Sequence, residues 1–191
     1  VGTTRLRFQE YEGIDGLRDR GLIGLGFVAG VSVGTGLALL VPKDVPGTED
    51  FFGRAYGSFT APLGSSFFHG GVNVETRRDD GAWKDVLGDA SLVGYVRSEN
   101  FRSHTLFLRA TLAGGWNTTL PFQLNLGGRG GVRSLVEDQF PGGRMARFVV
   151  EERILFPWPR RGAADLGMTL FGDLGRVWKG DAPYGVESGW K

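Results

Sequence analysis

One short glycine-containing motif has the residue types of a serine hydrolase. Gly30, Ser32 and Gly34 follow the G-x-S-x-G spacing of a nucleophile elbow, in which a serine at a strand–turn–helix junction is activated by a histidine and an acid. The chain has two histidines, His69 and His104. However, an alternation of apolar and small residues runs straight through Ser32, and no helical pattern follows it. We therefore expect Ser32 to be a small residue within a strand, and keep the hydrolase as an alternative.

A second glycine pattern, Gly24, Gly26 and Ala29, formally fits the G-x-G-x-x-A fingerprint of dinucleotide-binding folds. That fingerprint needs a strand–turn–helix unit, and the sequence offers no helix at this point. The two histidines have no clustered partners and the chain has no cysteine, which excludes a thiolate metal site and a disulfide framework. The sequence predicts no cofactor and no metal site.

A long glycine-rich connection, residues 127–143, carries the charged residue of most interest, Arg133. Its tip reads Val132-Arg133-Ser134-Leu135. Inside a confined polar space an unpaired charge is costly, and the five donors of a guanidinium suit one or two carboxylates. Glu151 and Asp173 lie on the polar parity of the two segments that follow, so both carboxylates can face the same side as the connection.

These residues lie in a chain that alternates as strands do. The 22 residues from Gly21 to Pro42 carry no charge, a length that would suit a transmembrane helix. Yet Ile23, Leu25, Phe27 and the apolar residues after them share one parity, with small residues on the other, which indicates a strand. The same pattern marks segments near 67–77, 85–97, 105–116 and 165–175. Weaker candidates are Arg5–Tyr11, Phe51–Ala61, Leu120–Leu126 and Arg144–Phe156.

The predicted fold is therefore all-β, with about nine or ten strands and no amphipathic helix. Predicted strands of ten residues or more exceed the ~5–6 usual in soluble sandwiches and suit a membrane-spanning strand of about 9–11 residues. One parity carries Arg, Asp and Glu, and the other carries Leu, Val and Phe with Trp116 and Trp178 near strand ends. This favours a transmembrane antiparallel barrel over a soluble β-sandwich binding module. The chain is also rich in glycine, with 33 residues, which a sheet tolerates at bends and close approaches.

Three signatures resemble, in order and spacing, those of the Omp85 superfamily, the bacterial surface antigen family of BamA-like and TamA-like barrels. They are Leu126-Gly-Gly128 before Val132-Arg133, then Glu151-Glu-Arg153, then Phe171-Gly-Asp173-Leu-Gly175. The resemblance implies that residues 127–143 fold inward and that Arg133 pairs with Glu151 and Asp173 as a structural lock. The alternative is that Arg133 is a solvated loop charge. The family's glycine and aromatic are replaced here by Ser134 and Leu135.

The resemblance further implies a non-enzymatic, cofactor-free protein of the bacterial outer membrane that inserts outer-membrane proteins or translocates a polypeptide. Its partners would be outer-membrane lipids and unfolded outer-membrane proteins or accessory envelope subunits. A passive pore or a structural barrel subunit is the alternative. Nearly balanced charge, 22 Lys+Arg against 21 Asp+Glu, predicts no nucleic-acid partner. Residues 1–191 are expected to be one barrel domain or a fragment of a 16-stranded barrel, without a periplasmic repeat domain.

Overall fold

A computed structural model describes residues 1–14, 20–35, 51–79, 81–98, 103–119, 121–128, 131–160 and 164–191. These residues form strands, turns and irregular segments, and no helix. No helix in the described part of the chain is long and apolar enough to span a membrane. The predicted all-β class is confirmed for these ranges.

Eight long strands form one antiparallel sheet. They are β1 (Gly2–Glu12), β2 (Arg20–Thr35), β3 (Phe51–Leu63), β4 (Ser66–Asp79), β5 (Ala82–Val96), β6 (His104–Trp116), β9 (Arg144–Arg160) and β10 (Ala164–Trp178). Their order in the sheet is β1-β2-β3-β4-β5-β6-β9-β10, so each long strand pairs with its neighbour in the chain. The alternating segments thus become strands as predicted. Residues 36–42 of the predicted Gly21–Pro42 strand lie outside the described residues.

Two very short strands, β7 (Leu124–Asn125) and β8 (Pro141–Gly142), pair with each other at the base of the connection between β6 and β9. The prediction of a full strand over Leu120–Leu126 is therefore wrong. Pro121 has no N–H to donate to a ladder, and Phe122 packs beside Gly115, where an added Cβ would lie 2.9 Å from the phenylalanine ring. The connection spans residues 117–143, which is longer than the predicted loop 127–143.

The sheet of eight strands is open, with β1 and β10 as its edges, and is not closed into a barrel. At the β10 edge the last residues of the chain continue the hydrogen bonding. Lys191 and Gly175 exchange two backbone hydrogen bonds of 2.9 and 3.0 Å, and the Ser188 N–H donates to the Val177 carbonyl at 3.1 Å. The predicted antiparallel β architecture is thus confirmed as a large open sheet, and its place in a 16-stranded barrel stays a prediction.

The two sides of the sheet differ in chemistry. On one side, which we call the loop face, neighbouring strands align Phe67, Tyr95, Phe107, Glu151 and Phe171 in one row. The next row on that side is His69, Val93, Arg109, Val149 and Asp173. On the other side, the apolar face, a row reads Gly70, Leu92, Ala110, Phe148 and Leu174. Period-2 alternation predicted this division for β4, β5, β6, β9 and β10.

One strand departs from the predicted parity. Gly26 has φ +133, and a Cβ there would lie 2.0 Å from the Arg5 carbonyl oxygen. Alternation is interrupted at this point: Leu25 is buried with Tyr11 and Phe67, whereas Phe27 is 43% exposed. The apolar residues of β2 therefore do not all lie on one side. A backbone conformation that glycine alone adopts readily moves the residues before Gly26 to the opposite face.

Candidate functional site

The connection between β6 and β9 folds onto the loop face of the sheet. Leu126 and Val132 are almost fully buried together with Val177 of β10, and the Val132 N–H donates to the Leu126 carbonyl at 2.7 Å. Gly175 makes this close approach possible, because a Cβ there would lie 2.4 Å from Leu126 Cδ1 and 3.0 Å from Val132 Cγ2. The connection therefore packs against the loop face of the sheet.

At the tip of the connection, Arg133 lies between the two predicted carboxylates. Its Nη2 is 2.5 Å from Glu151 Oε1, and its Nε is 3.0 Å from Asp173 Oδ2. Its backbone N–H also donates to Asp173 Oδ2 at 3.1 Å. The guanidinium carbon lies 4.1 Å from the centre of the Phe171 ring, a cation–π arrangement. The structure thus brings all three predicted residues together.

Burial of the carboxylates increases the energetic cost of breaking these ion pairs. The side chain of Asp173 is 4% exposed and that of Glu151 13%, while Arg133 is 35% exposed. A carboxylate withdrawn from water is tolerated when it is paired and hydrogen-bonded, and removing its partner leaves an uncompensated charge. The arrangement therefore fixes where the loop tip can lie.

A second arginine, Arg153, completes the cluster. Its Nε and Nη2 donate to Glu151 Oε2 at 3.0 and 2.7 Å, so Glu151 is shared by two guanidinium groups. Its Nη1 donates to the Ile14 carbonyl oxygen at 2.6 Å, which ties β9 to the segment after β1. Sequence reasoning placed Arg153 on the parity of Glu151 but gave it no role. The parity that Arg153 shares with Glu151 was the sequence signal for their contact. No pattern in the sequence indicated the contact with Ile14.

An aromatic stack extends from this cluster across the loop face. Ring centres are 4.9 Å apart for Tyr11 and Phe67, 4.8 Å for Phe67 and Tyr95, and 5.0 Å for Tyr95 and Phe107. The Arg153 guanidinium lies 5.1 Å from the Phe107 ring centre. The charged cluster and the aromatic stack are therefore one continuous packed unit.

The divergent tip residues fit this conformation. Ser134 does not have a positive φ, so the position needs no glycine. Leu135 packs against the cluster of Leu126, Val132 and Val177, and its N–H donates to the Val132 carbonyl at 3.1 Å. The loop tip is thus seated with serine and leucine where the resembled family has glycine and an aromatic.

The other sequence candidates do not assemble. Ser32 lies within β2 opposite Arg54, whereas His69 contacts Thr60 at 2.9 Å, six residues further along β3. His104 contacts Glu152 at 2.7 Å on a different part of the sheet. Gly24, Gly26 and Ala29 lie within β2, which continues as a strand to Thr35. Within the described ranges no three His, Asp or Glu side chains group as metal ligands would.

Comparison of the chain with models of protein families gives no match. Comparisons with curated proteins and with solved structures give no match either.

Proposed function

We propose that this chain is a membrane-spanning part of an Omp85-type barrel of the bacterial outer membrane. The observation that carries the proposal is an eight-stranded sheet with an exposed apolar face, whose opposite face holds an inward-folded loop through Arg133, Glu151 and Asp173. This combination joins a surface suited to lipid with a charged interior, and the contacts of the three residues support the roles that the resemblance implies.

The apolar face supports a lipid environment. Phe59, Leu92 and Leu170 are 51%, 50% and 56% exposed near the middle of their strands. Extended exposed apolar surfaces on soluble proteins are uncommon and mark an interaction surface. The eight long strands have 11 to 17 residues, enough for the about 9–11 that a tilted strand needs to cross a bilayer.

The connections at the two ends of the sheet also differ. At one end the strands are joined by residues 13–19, 64–65, 97–103 and 161–163. At the other end they are joined by residues 36–50, 80–81 and 117–143. Membrane barrels have short turns on the periplasmic side and longer extracellular loops. We assign the 117–143 end to the cell exterior.

The role that follows is insertion of outer-membrane proteins, or polypeptide translocation, by a barrel of 16 strands. Its partners would be outer-membrane lipids and unfolded membrane proteins or envelope subunits, and the proposal assigns no catalysis and no cofactor. The polar loop face also favours a second candidate, a passive pore. Reconstituted vesicles separate the two: assembly of a denatured outer-membrane protein into them supports the machine, and solute efflux without assembly supports the pore.

Membrane placement is tested by a pair of adjacent substitutions in β3. Phe59→Arg puts a charge on the apolar face, and Ser58→Arg puts it on the loop face. An arginine facing lipid near the bilayer centre costs about 2–4 kcal/mol, so Phe59→Arg should greatly reduce the folded, protease-resistant fraction in vesicles. Ser58→Arg should retain that fraction. A β-sandwich would be favoured instead if the two variants insert equally. It would also be favoured if the wild-type chain stays soluble and does not associate with vesicles.

A further inference from the structure

Three tryptophans and two arginines lie together on the apolar face, at the end of the sheet where the 117–143 connection leaves it. Trp116 ends β6, Arg144 begins β9, and Trp178 ends β10 opposite Arg144. Arg176 is two residues before Trp178, on the same face and diagonal to Arg144. Trp190 packs on Trp178 at 6.3 Å. We call this group the tryptophan rim.

Each arginine of the rim lies over a tryptophan ring. The guanidinium carbon of Arg144 is 5.3 Å from the ring centre of Trp116, and that of Arg176 is 5.0 Å from the ring centre of Trp178. Tryptophan has an apolar body and a polar N–H, and it concentrates where apolar and wet regions meet. The rings therefore hold both cations at the border of the apolar face.

The guanidinium of Arg144 has N–H donors that are not used in hydrogen bonds. Its Nε is buried and has no hydrogen-bond partner, and no carboxylate lies within ion-pair distance of it among the described residues. Arg176 lies 3.8 Å from the carboxylate of Glu187, which is 60% exposed. Asp181, on the nearby tail, accepts from the Asn117 N–H at 2.6 Å. Five N–H donors in a planar fork match the oxygens of a phosphate.

We infer that the tryptophan rim binds the phosphate groups of anionic membrane lipids, with Arg144 as the main contact and Arg176 beside it. The inference rests on the proposed membrane placement and names the lipid chemistry that this end of the sheet selects. The acyl chains would lie along the apolar residues below, such as Phe148 and Leu174. The headgroup would meet two guanidinium groups that are already positioned by rings.

The loop face supplies a matched control. Arg109 and Arg147 are also diagonal neighbours, on β6 and β9, but they lie on the opposite side of the sheet. Replacing them by glutamine removes the same amount of charge, from β6 and β9 where the rim pair lies on β9 and β10, without touching the rim. Any general effect of lost positive charge should appear in both double variants.

The experiment measures which lipid contacts the rim. Trp83 and Trp158, the other two of the five tryptophans, are replaced by phenylalanine, so that fluorescence reports on the rim alone. The protein is reconstituted in phosphatidylcholine vesicles with a small fraction of lipid brominated near the headgroup, either phosphatidylglycerol or phosphatidylcholine. Preferential quenching by the brominated phosphatidylglycerol gives the relative association constant. Near an anionic surface each arginine should raise that constant about fivefold, and both up to about thirtyfold.

We expect R144Q/R176Q to bring the ratio close to one, R109Q/R147Q to leave it unchanged, and added salt to lower it. A ratio near one for the parent protein, or equal loss in both double variants, would overturn the inference while the membrane proposal stands. If neither brominated lipid quenches the rim, the tryptophans are not in a bilayer and the proposed function fails too. Heat-modifiable gel mobility checks that every variant is folded.

Discussion

Replacing Arg133 by glutamine should release the loop tip from the loop face of the sheet. The substitution removes the contacts to Glu151 and Asp173, at 2.5 and 3.0 Å, and the stacking on Phe171 at 4.1 Å. Glu151 keeps Arg153. Asp173, which is 4% exposed, keeps the hydrogen bond from the backbone N–H of residue 133 and the electrostatic attraction of Arg147, but loses its ion pair. The cost therefore falls mainly on Asp173.

The magnitude follows from burial. Breaking a buried ion pair by removing one partner costs about 3–5 kcal/mol. The side chain of Arg133 is 35% exposed, and Glu151 retains a partner, so we expect less, about 2–3 kcal/mol. Converted at the usual 1.36 kcal/mol per tenfold, opening of the loop should become about 30- to 150-fold more frequent.

Hydrogen exchange measures this opening directly, because the Val132 and Leu135 amides are hydrogen-bonded within the loop. Arg54→Gln is the matched control: Arg54 contacts Asn73 at 2.6 Å, away from the loop tip. In an Asp173→Asn background, Arg133→Gln should cost about 1–2 kcal/mol less if the two residues are coupled. Unchanged loop exchange in Arg133→Gln, or equal acceleration in the control, would refute the lock.

Two glycines give further predictions, each with a control on the same strand, measured by urea unfolding in detergent. Gly175→Ala should lower the free energy of unfolding by about 1–3 kcal/mol and speed loop exchange, because its Cβ would clash with the loop side chains. Gly172→Ala should change neither the free energy of unfolding nor the loop exchange, because nothing lies within 4 Å of the added Cβ. Equal losses of unfolding free energy in the two variants would mean that the loop does not rest on Gly175. Gly26→Ala should cost about 1–3 kcal/mol, since φ is +133 and the Cβ would meet backbone. Gly34→Ala, in open space, should be nearly neutral, and a harmless Gly26→Ala would contradict the parity switch.

Much of this arrangement could be predicted from the sequence because the period of a strand is a local property of the backbone. Once β9 and β10 are strands, Glu151 and Asp173 must share the face of their strands that is polar. An arginine folded onto that face then needs those carboxylates. The pairing required no knowledge of distant contacts beyond the inward fold of the loop.

Other features depended on contacts that no local pattern records. Alternation continues across Gly26 in the sequence, yet its φ of +133 transfers the earlier residues of β2 to the opposite face. At this position the Arg5 carbonyl of the neighbouring strand approaches so closely that a Cβ would clash with it. Likewise, Arg153 reaches the Ile14 carbonyl across 139 residues of chain.

The sequence by itself determined the long strands, the chemistry of the two faces of β4, β5, β6, β9 and β10, and the partners available to Arg133. Only the tertiary structure decided the open edges, the parity switch at Gly26, the sharing of Glu151 by two arginines and the grouping of the tryptophan rim. The physical reason is that alternation follows from bond geometry along one strand. Register, close approach and shared charge are set between strands, where residues far apart in sequence must fit the same space.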